Sequence, residues 1–199
     1  MTDAMKIKQV CVFCASSPGT DSVHIETARE VGRLLALRGL GLVFGGGHVG
    51  LMGAVADAAL AEGGEVTGVI PRALELRELA HGGLTRLHVV GSMHERKARM
   101  AELSDAFLAL PGGMGTLDEL AEIVTWAQLG VHAKPIGLLD VRGYFQPLVA
   151  FFDRAEREGF LRPEHRGLVA VEADPERMLA RFEGWEPPHV RRWVDDRST

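Results

Sequence analysis

The stretch Pro111-Gly112-Gly113-Met114-Gly115-Thr116-Leu117-Asp118-Glu119 joins a glycine-rich turn to a helix start that carries its own acids. Three glycines within four residues let backbone N–H groups approach a ligand closely. A helix opening at Thr116 adds unpaired N–H donors and the positive end of a helix dipole, so the chemistry on offer is anion binding, and a phosphate fits it best. The same residues have a plainer reading. Thr116 and Glu119 stand in capping-box register, in which each side chain satisfies the other's backbone N–H with no ligand at all. A cap needs one turn residue rather than three glycines, and a carboxylate at 119 can serve capping and catalysis together.

Arg96 and Lys97 fall near the start of a helix expected from Met93 to Leu103. Taken alone such a pair decorates a solvated face, yet a guanidinium can also hold phosphate or ribose oxygens with a planar fork. Gly45-x-Gly47-x-x-Gly50 formally matches a dinucleotide fingerprint. The strand about 20 residues on ends in Val69-Ile70-Pro71, without the acid that would hold a ribose 2′-OH, which leaves tight strand-to-helix packing or a supporting role in nucleotide binding. His94-Glu95 lacks the second histidine of a zinc-protease motif, and neither a G-K-[ST] phosphate loop nor a G-x-S-x-G elbow occurs. Cys11 and Cys14 have C-x-x-C spacing, but inside an apolar strand residues three apart point to opposite faces, which favours core packing over a redox pair.

The string PGGMGTLDE resembles the PGGxGTxxE signature of the LONELY GUY family of cytokinin-activating phosphoribohydrolases, formerly often labelled "lysine decarboxylase-like". Two further blocks appear in the family's order: Ser92-Met93-His94-Glu95-Arg96-Lys97-Ala98 is similar to its MHxRK segment, and Gly45-Gly46-Gly47-His48-Val49-Gly50-Leu51-Met52-Gly53 to its GGGxxGLMG segment. The resemblance runs from about Val10 to Phe160. It implies a nucleotide site formed by Glu78, Arg96, Lys97, Gly113, Met114, Gly115, Thr116, Leu117, Asp118, Glu119 and Thr125, with Arg96 and Glu119 catalytic. It also implies a homodimer with sites near its interface and a purine nucleoside 5′-monophosphate as substrate, with no cofactor and no metal. The expected reaction is hydrolysis of the N-glycosidic bond of adenosine 5′-monophosphates, N6-substituted adenylates favoured and AMP accepted, to free base and ribose 5-phosphate, with a noncatalytic nucleotide or molybdenum-cofactor carrier as the alternative.

Cleaving that bond builds oxocarbenium character on the ribose, so a carboxylate, here Glu119, can stabilise the charge and direct water to C1′. Arg96 holds its proton too tightly to be a general acid and is expected to orient substrate. Asp118 either polarises ribose hydroxyls or favours the helix N-terminus. The older lysine-decarboxylase label would require pyridoxal phosphate, and no feature of the sequence identifies its Schiff-base lysine.

These residues need elements to carry them. Strand-like runs recur at Gln9 to Ala15, Gly41 to Gly45, Glu65 to Ile70, Leu84 to Val90, Ala106 to Leu110, Pro135 to Leu139 and Leu168 to Val171, with amphipathic segments such as His24 to Arg38 and Leu51 to Ala61 between them. That alternation predicts right-handed βαβ crossovers and an α/β fold: a doubly wound, Rossmann-like parallel sheet with helices on both faces. The loops Ala15 to Gly19, Gly45 to Gly47 and Pro111 to Gly115 all leave strand ends, where ligands bind in such sheets.

The 199 residues suffice for one well-buried domain, expected over residues 1–184, with a polar tail over 185–199 carrying Pro187-Pro188. Lys and Arg total 22 against 27 Asp and Glu, a formal charge of −5, which argues against a nucleic-acid or anionic-membrane partner. No run approaches the roughly 20 apolar residues of a membrane span, nor does the N-terminus show a signal-peptide core, so a cytoplasmic location is expected.

Overall fold

The computed structural model describes residues 7–75 and 80–188. Seven parallel strands form one sheet: β1 (Gln9–Phe13), β2 (Gly41–Phe44), β3 (Val66–Pro71), β4 (Arg86–Val90), β5 (Ala106–Ala109), β6 (Ile136–Leu139) and β7 (Val169–Glu172), in the order β4-β3-β2-β1-β5-β6-β7. The inner strands are buried on both faces, which is why they read as continuous apolar runs rather than alternating ones. The helices are α1 (Ser22–Leu37), α2 (Gly50–Ala61), α3 (Arg72–Glu75), α4 (Met93–Glu102), α5 (Met114–Leu129), α6 (Gln146–Arg157), α7 (Pro163–Arg166) and α8 (Pro175–Glu183).

Two cores lie on either side of the sheet. One unites Val10 and Val12 of β1 with Val31 and Leu35 of α1, Val55 of α2 and Phe182 of α8. The other unites Cys11 and Phe13 with Met100 of α4 and Leu120 and Ile123 of α5. The expected doubly wound sheet is therefore the observed one. Helices α1 and α2 cross closely because residue 32 is glycine: a Cβ there would stand 2.2 Å from the Val55 carbonyl oxygen. Cys11 and Cys14 are both free and buried, one in each core, so their thiols face opposite sides of the sheet; burial pushes both thiols up from their ordinary pKa.

One local expectation changes. Helix α5 opens at Met114, two residues before Thr116, with Gly113 as its N-cap residue and no side chain capping it. Thr116 thus sits inside the first turn, and the Thr116/Glu119 capping box does not form. The glycines turn the chain early, and the Thr116 hydroxyl packs so closely on Gly112 that a Cβ there would lie 2.1 Å from it. A side-chain cap is found instead at α4, where Ser92 Oγ accepts from the Glu95 N–H, and Glu95 Oε2 accepts from the Gly91 N–H one residue before the cap.

Candidate active site

Reversal of strand order between β1 and β5 leaves a crevice at their carboxyl ends. A cavity of about 490 Å³ opens there and extends laterally past β2 to β3. Its wall near β5 is Gly113, Met114, Gly115, Thr116 and Glu119; Cys14 to Ser17 follow β1; Gly45, Gly47, Val49 and Met52 follow β2; Ile70 lies near the end of β3 and Leu74 follows it. Three strand spacings separate the ends, about 14 Å. The β3 end is apolar, while the β5 end presents the uncapped first turn of a 16-residue helix.

The helix N-termini around the crevice differ in what they leave open. At α2 the Leu51 and Met52 N–H groups donate to the Ala15 carbonyl at 3.0 and 3.3 Å, so these donors are already used within the fold. That favours the packing reading of the Gly45–Gly50 segment over a dinucleotide site. Asp21 caps α1, Ser92 caps α4 and Asp174 caps α8. Helix α5 has no side-chain cap, and its opening residues line the cavity.

Between the two ends lie Arg96 and Glu119, both buried. Arg96 Nε donates to the Val69 carbonyl at 3.1 Å and an Nη to the Gly45 carbonyl at 3.2 Å, while its other Nη stands 3.2 Å from Glu119 Oε1. The guanidinium is thereby fixed in plane by the ends of β2 and β3. Gly45 permits this, since a Cβ at that position would lie 1.8 Å from the Nη. Burial raises the Glu119 carboxyl pKa to about 7 against the opposing pull of Arg96. Near neutral pH it is therefore poised to give or take a proton.

The structure separates the residues that the sequence reading grouped. Arg96, Glu119, Gly113, Met114, Gly115 and Thr116 line the cavity. Lys97 does not: its ammonium pairs with Asp118 at 3.0 Å and Glu122 at 3.2 Å on the outer side of α4 and α5. Asp118 and Thr125 are exposed on the same side of α5, Thr125 donating back to the Ala121 carbonyl at 2.7 Å, and Leu117 is half-buried outside the cavity wall. Glu78 lies outside the described residues. The sequence reading did not single out the two arginine-holding carbonyls of Gly45 and Val69, nor the apolar wall of Met52, Ile70 and Leu74; the Gly45-Gly46-Gly47 run was the one signal that a close approach was needed there.

Residues 52–182 match the family described as "Possible lysine decarboxylase". The chain is 47% identical over 186 residues to a probable cytokinin riboside 5′-monophosphate phosphoribohydrolase, LOGL2, of Oryza sativa subsp. japonica, covering 94% of this chain and 76% of the relative. It is 45% identical over 186 residues to cytokinin riboside 5′-monophosphate phosphoribohydrolase LOG1 of Arabidopsis thaliana, covering 94% and 87%. The chain belongs to the LONELY GUY family. Among solved structures, a molybdenum cofactor carrier protein of Chlamydomonas reinhardtii superposes with a TM-score of 0.69 at 22% identity, over 90% of this chain and 98% of that one. A molybdenum cofactor binding protein of Rippkaea orientalis does so with a TM-score of 0.68 at 22% identity, over the same shares. Both likenesses concern the fold.

The family's decarboxylase description would call for a Schiff-base lysine. Of the described lysines Lys8, Lys97 and Lys134, none lines the cavity of this LONELY GUY protein, so its donors do not fit pyridoxal phosphate. Among the described residues no group of three His, Cys, Asp or Glu could hold a metal ion, and no helix is long and apolar enough to cross a membrane.

Proposed function

We propose that the protein hydrolyses the N-glycosidic bond of adenosine 5′-monophosphates, N6-substituted adenylates and AMP itself, releasing the free base and ribose 5-phosphate. The observation that carries this reading is the buried Arg96–Glu119 pair, placed between an uncapped helix N-terminus and an apolar recess. The phosphate is held by the N–H groups at the start of α5 and the Thr116 hydroxyl. The base and its N6 substituent extend toward Met52, Ile70 and Leu74. As the C1′–N bond breaks, positive charge grows on the ribose; ionised Glu119 stabilises it and takes a proton from the water that attacks C1′, while the departing base, which carries off the bonding pair, takes up a proton from solvent and Glu119 later returns its own there. Arg96 orients the nucleotide and keeps a useful fraction of Glu119 ionised. The names of the relatives, cytokinin riboside 5′-monophosphate phosphoribohydrolases, support the same substrate class.

A cytoplasmic homodimer completes the reading. Met114, Asp118, Glu122, Thr125 and Leu129 follow one another at helical spacing on the outer face of α5, with Met114 81% and Leu129 36% exposed. Met93, exposed at the start of α4, and Lys97 stand at the same helical spacing. A second copy seated on this face carries Lys97 and Thr125 to the mouth of its partner's cavity, which accounts for a nucleotide role at positions outside their own subunit's cavity.

The test compares kcat/KM for AMP, an N6-isopentenyl AMP, adenosine and ATP at constant ionic strength, following released base. The monophosphates should exceed adenosine by about 10- to 100-fold, since each charge-assisted hydrogen bond lost is worth roughly 1.5–3 kcal/mol. Equal rates for adenosine and AMP would remove the phosphate site from the reading. Nucleotide binding with no base release would point to the noncatalytic carrier instead.

A further inference from the structure

The glycine turn that opens α5 is held by partners from three elements. The Pro111 carbonyl accepts from the Ala15 N–H at 3.3 Å, and the Gly113 carbonyl accepts from the Leu117 N–H at 3.1 Å within the helix. Between them, the Gly112 carbonyl accepts from the Tyr144 hydroxyl at 2.6 Å, across 32 residues of sequence. In a trans peptide the carbonyl and the following N–H point in opposite directions. Fixing the Gly112 oxygen toward Tyr144 therefore turns the Gly113 N–H away from Tyr144. Consecutive glycines have no Cβ to oppose rotation of the peptide between them, so this plane needs an external restraint.

The segment that delivers Tyr144 is itself tightly held. Buried Asp140, just after β6, accepts from the Phe145 N–H at 2.7 Å and from the Gln146 side-chain amide. Arg142 adopts φ +52°, a left-handed conformation that a non-glycine residue takes only where its surroundings impose it, and its guanidinium reaches Asp21 Oδ2 at 3.3 Å. The Tyr144 ring stands edge-on to His24 and Phe145 at centroid distances of 6.0 and 5.2 Å. A constrained turn and two ring contacts thus hold a half-exposed hydroxyl on one main-chain oxygen. Tyr144 itself is not part of the cavity wall.

We infer that Tyr144 is a positioning residue for the 5′-phosphate: its hydroxyl, bonded to the Gly112 carbonyl, sets the Gly112–Gly113 peptide so that the Gly113 N–H serves the anion. The inference rests on the phosphoribohydrolase reading and assigns to it a residue that never touches substrate. It follows that the Tyr144 hydroxyl matters to ligands bearing the phosphate and not to the base alone.

The experiment is Tyr144→Phe in the full-length protein, with dissociation constants for ribose 5-phosphate and for adenine measured by calorimetry and base release from AMP followed in parallel. Loss of one net hydrogen bond corresponds to about fivefold, so ribose 5-phosphate should weaken by at least that factor while adenine stays within about twofold. Tyr144→Leu should weaken ribose 5-phosphate by the same factor, since the ring is not what acts on the peptide. Unchanged ribose 5-phosphate affinity in a Phe variant, with the native protein active on AMP, overturns the positioning role and leaves the enzyme assignment standing. Equal weakening of both ligands also overturns it, because a general structural role would act on both. Native protein that releases no base from either AMP or N6-isopentenyl AMP overturns the enzyme assignment, and the positioning role with it.

Discussion

Glu119→Gln should abolish turnover and at the same time stabilise the protein at alkaline pH. The carboxyl has a folded-state pKa of about 7 against an ordinary value of 4.5, chiefly because burial penalises the charged form. The folded protein thus binds this proton more tightly than the unfolded chain does. The linkage has a definite sign: no penalty exists below the unfolded pKa, it grows as pH rises from about 4.5 to 7, and it is complete above that. The shift amounts to about 3 kcal/mol of stability lost across that window. Glutamine has the shape of the neutral acid and can still accept from Arg96, so the variant should match the native protein near pH 4.5 and exceed it above pH 8 by about 3 kcal/mol. For a chain of this size that is roughly 6–12 °C in Tm.

The assay is thermal or urea unfolding of both proteins at several pH values and one fixed protein concentration, because dimerisation would otherwise shift Tm. AMP turnover is followed alongside and should fall by about 10²–10⁴, the usual value of a positioned acid/base group. A capping role for Glu119 predicts the opposite pattern, a loss of about 0.5–2 kcal/mol at every pH with activity largely kept. A pH-independent loss of stability would refute the reasoning from burial.

Other outcomes follow from the same geometry. Gly45→Ala should leave Tm near native but lower kcat/KM for AMP by at least tenfold, because the new Cβ meets the far ends of two side chains, Arg96 Nη at 1.8 Å and Met52 Sδ at 3.3 Å, and pushes the guanidinium off Glu119. Arg96→Lys should recover little of the activity lost in Arg96→Ala: one ammonium cannot reproduce a planar fork that reaches two carbonyls and a carboxylate, and full base release by the Lys variant would refute that assignment. With native enzyme, kcat/KM should rise with pH through about 7 as Glu119 ionises; a fall through the same range would make Glu119 the proton donor instead. Leu129→Glu should shift sedimentation from dimer to monomer and reduce AMP turnover, whereas a monomeric native protein would remove the shared-site account of Lys97 and Thr125.

The parallel strands were legible in the sequence because burial on both faces leaves runs such as AFLA and IGLL with little polar interruption. The amphipathic segment His24 to Arg38 marked a helix that opens two residues earlier, at Ser22, behind the cap of Asp21. The register of α5 was less accessible: a Thr-x-x-Glu pattern is satisfied equally by a cap and by a first turn entered through Gly113, and the choice depends on the contact between Thr116 and Gly112. The holders of Arg96 were beyond local reading, being main-chain carbonyls 27 and 51 residues away that no side-chain pattern encodes. Tyr144 is similar, its partner being a glycine oxygen 32 residues distant. Lys97 and Thr125 show a different limit: the resemblance groups them with the nucleotide site, while the fold sets both outside the cavity wall.

Anchoring Arg96 on the carbonyls of Gly45 and Val69 has a consequence for altering the protein's selectivity. Main-chain oxygens persist through any side-chain replacement, so the arginine's alignment is insulated from changes at Met52, Ile70 and Leu74 that reshape the far wall. Under the proposed placement of the base, directed evolution could enlarge or polarise that wall to admit other purine substituents while the Arg96–Glu119 pair stays in register. The vulnerable point is a single absent methyl group at position 45, and a mutational library should hold that glycine fixed.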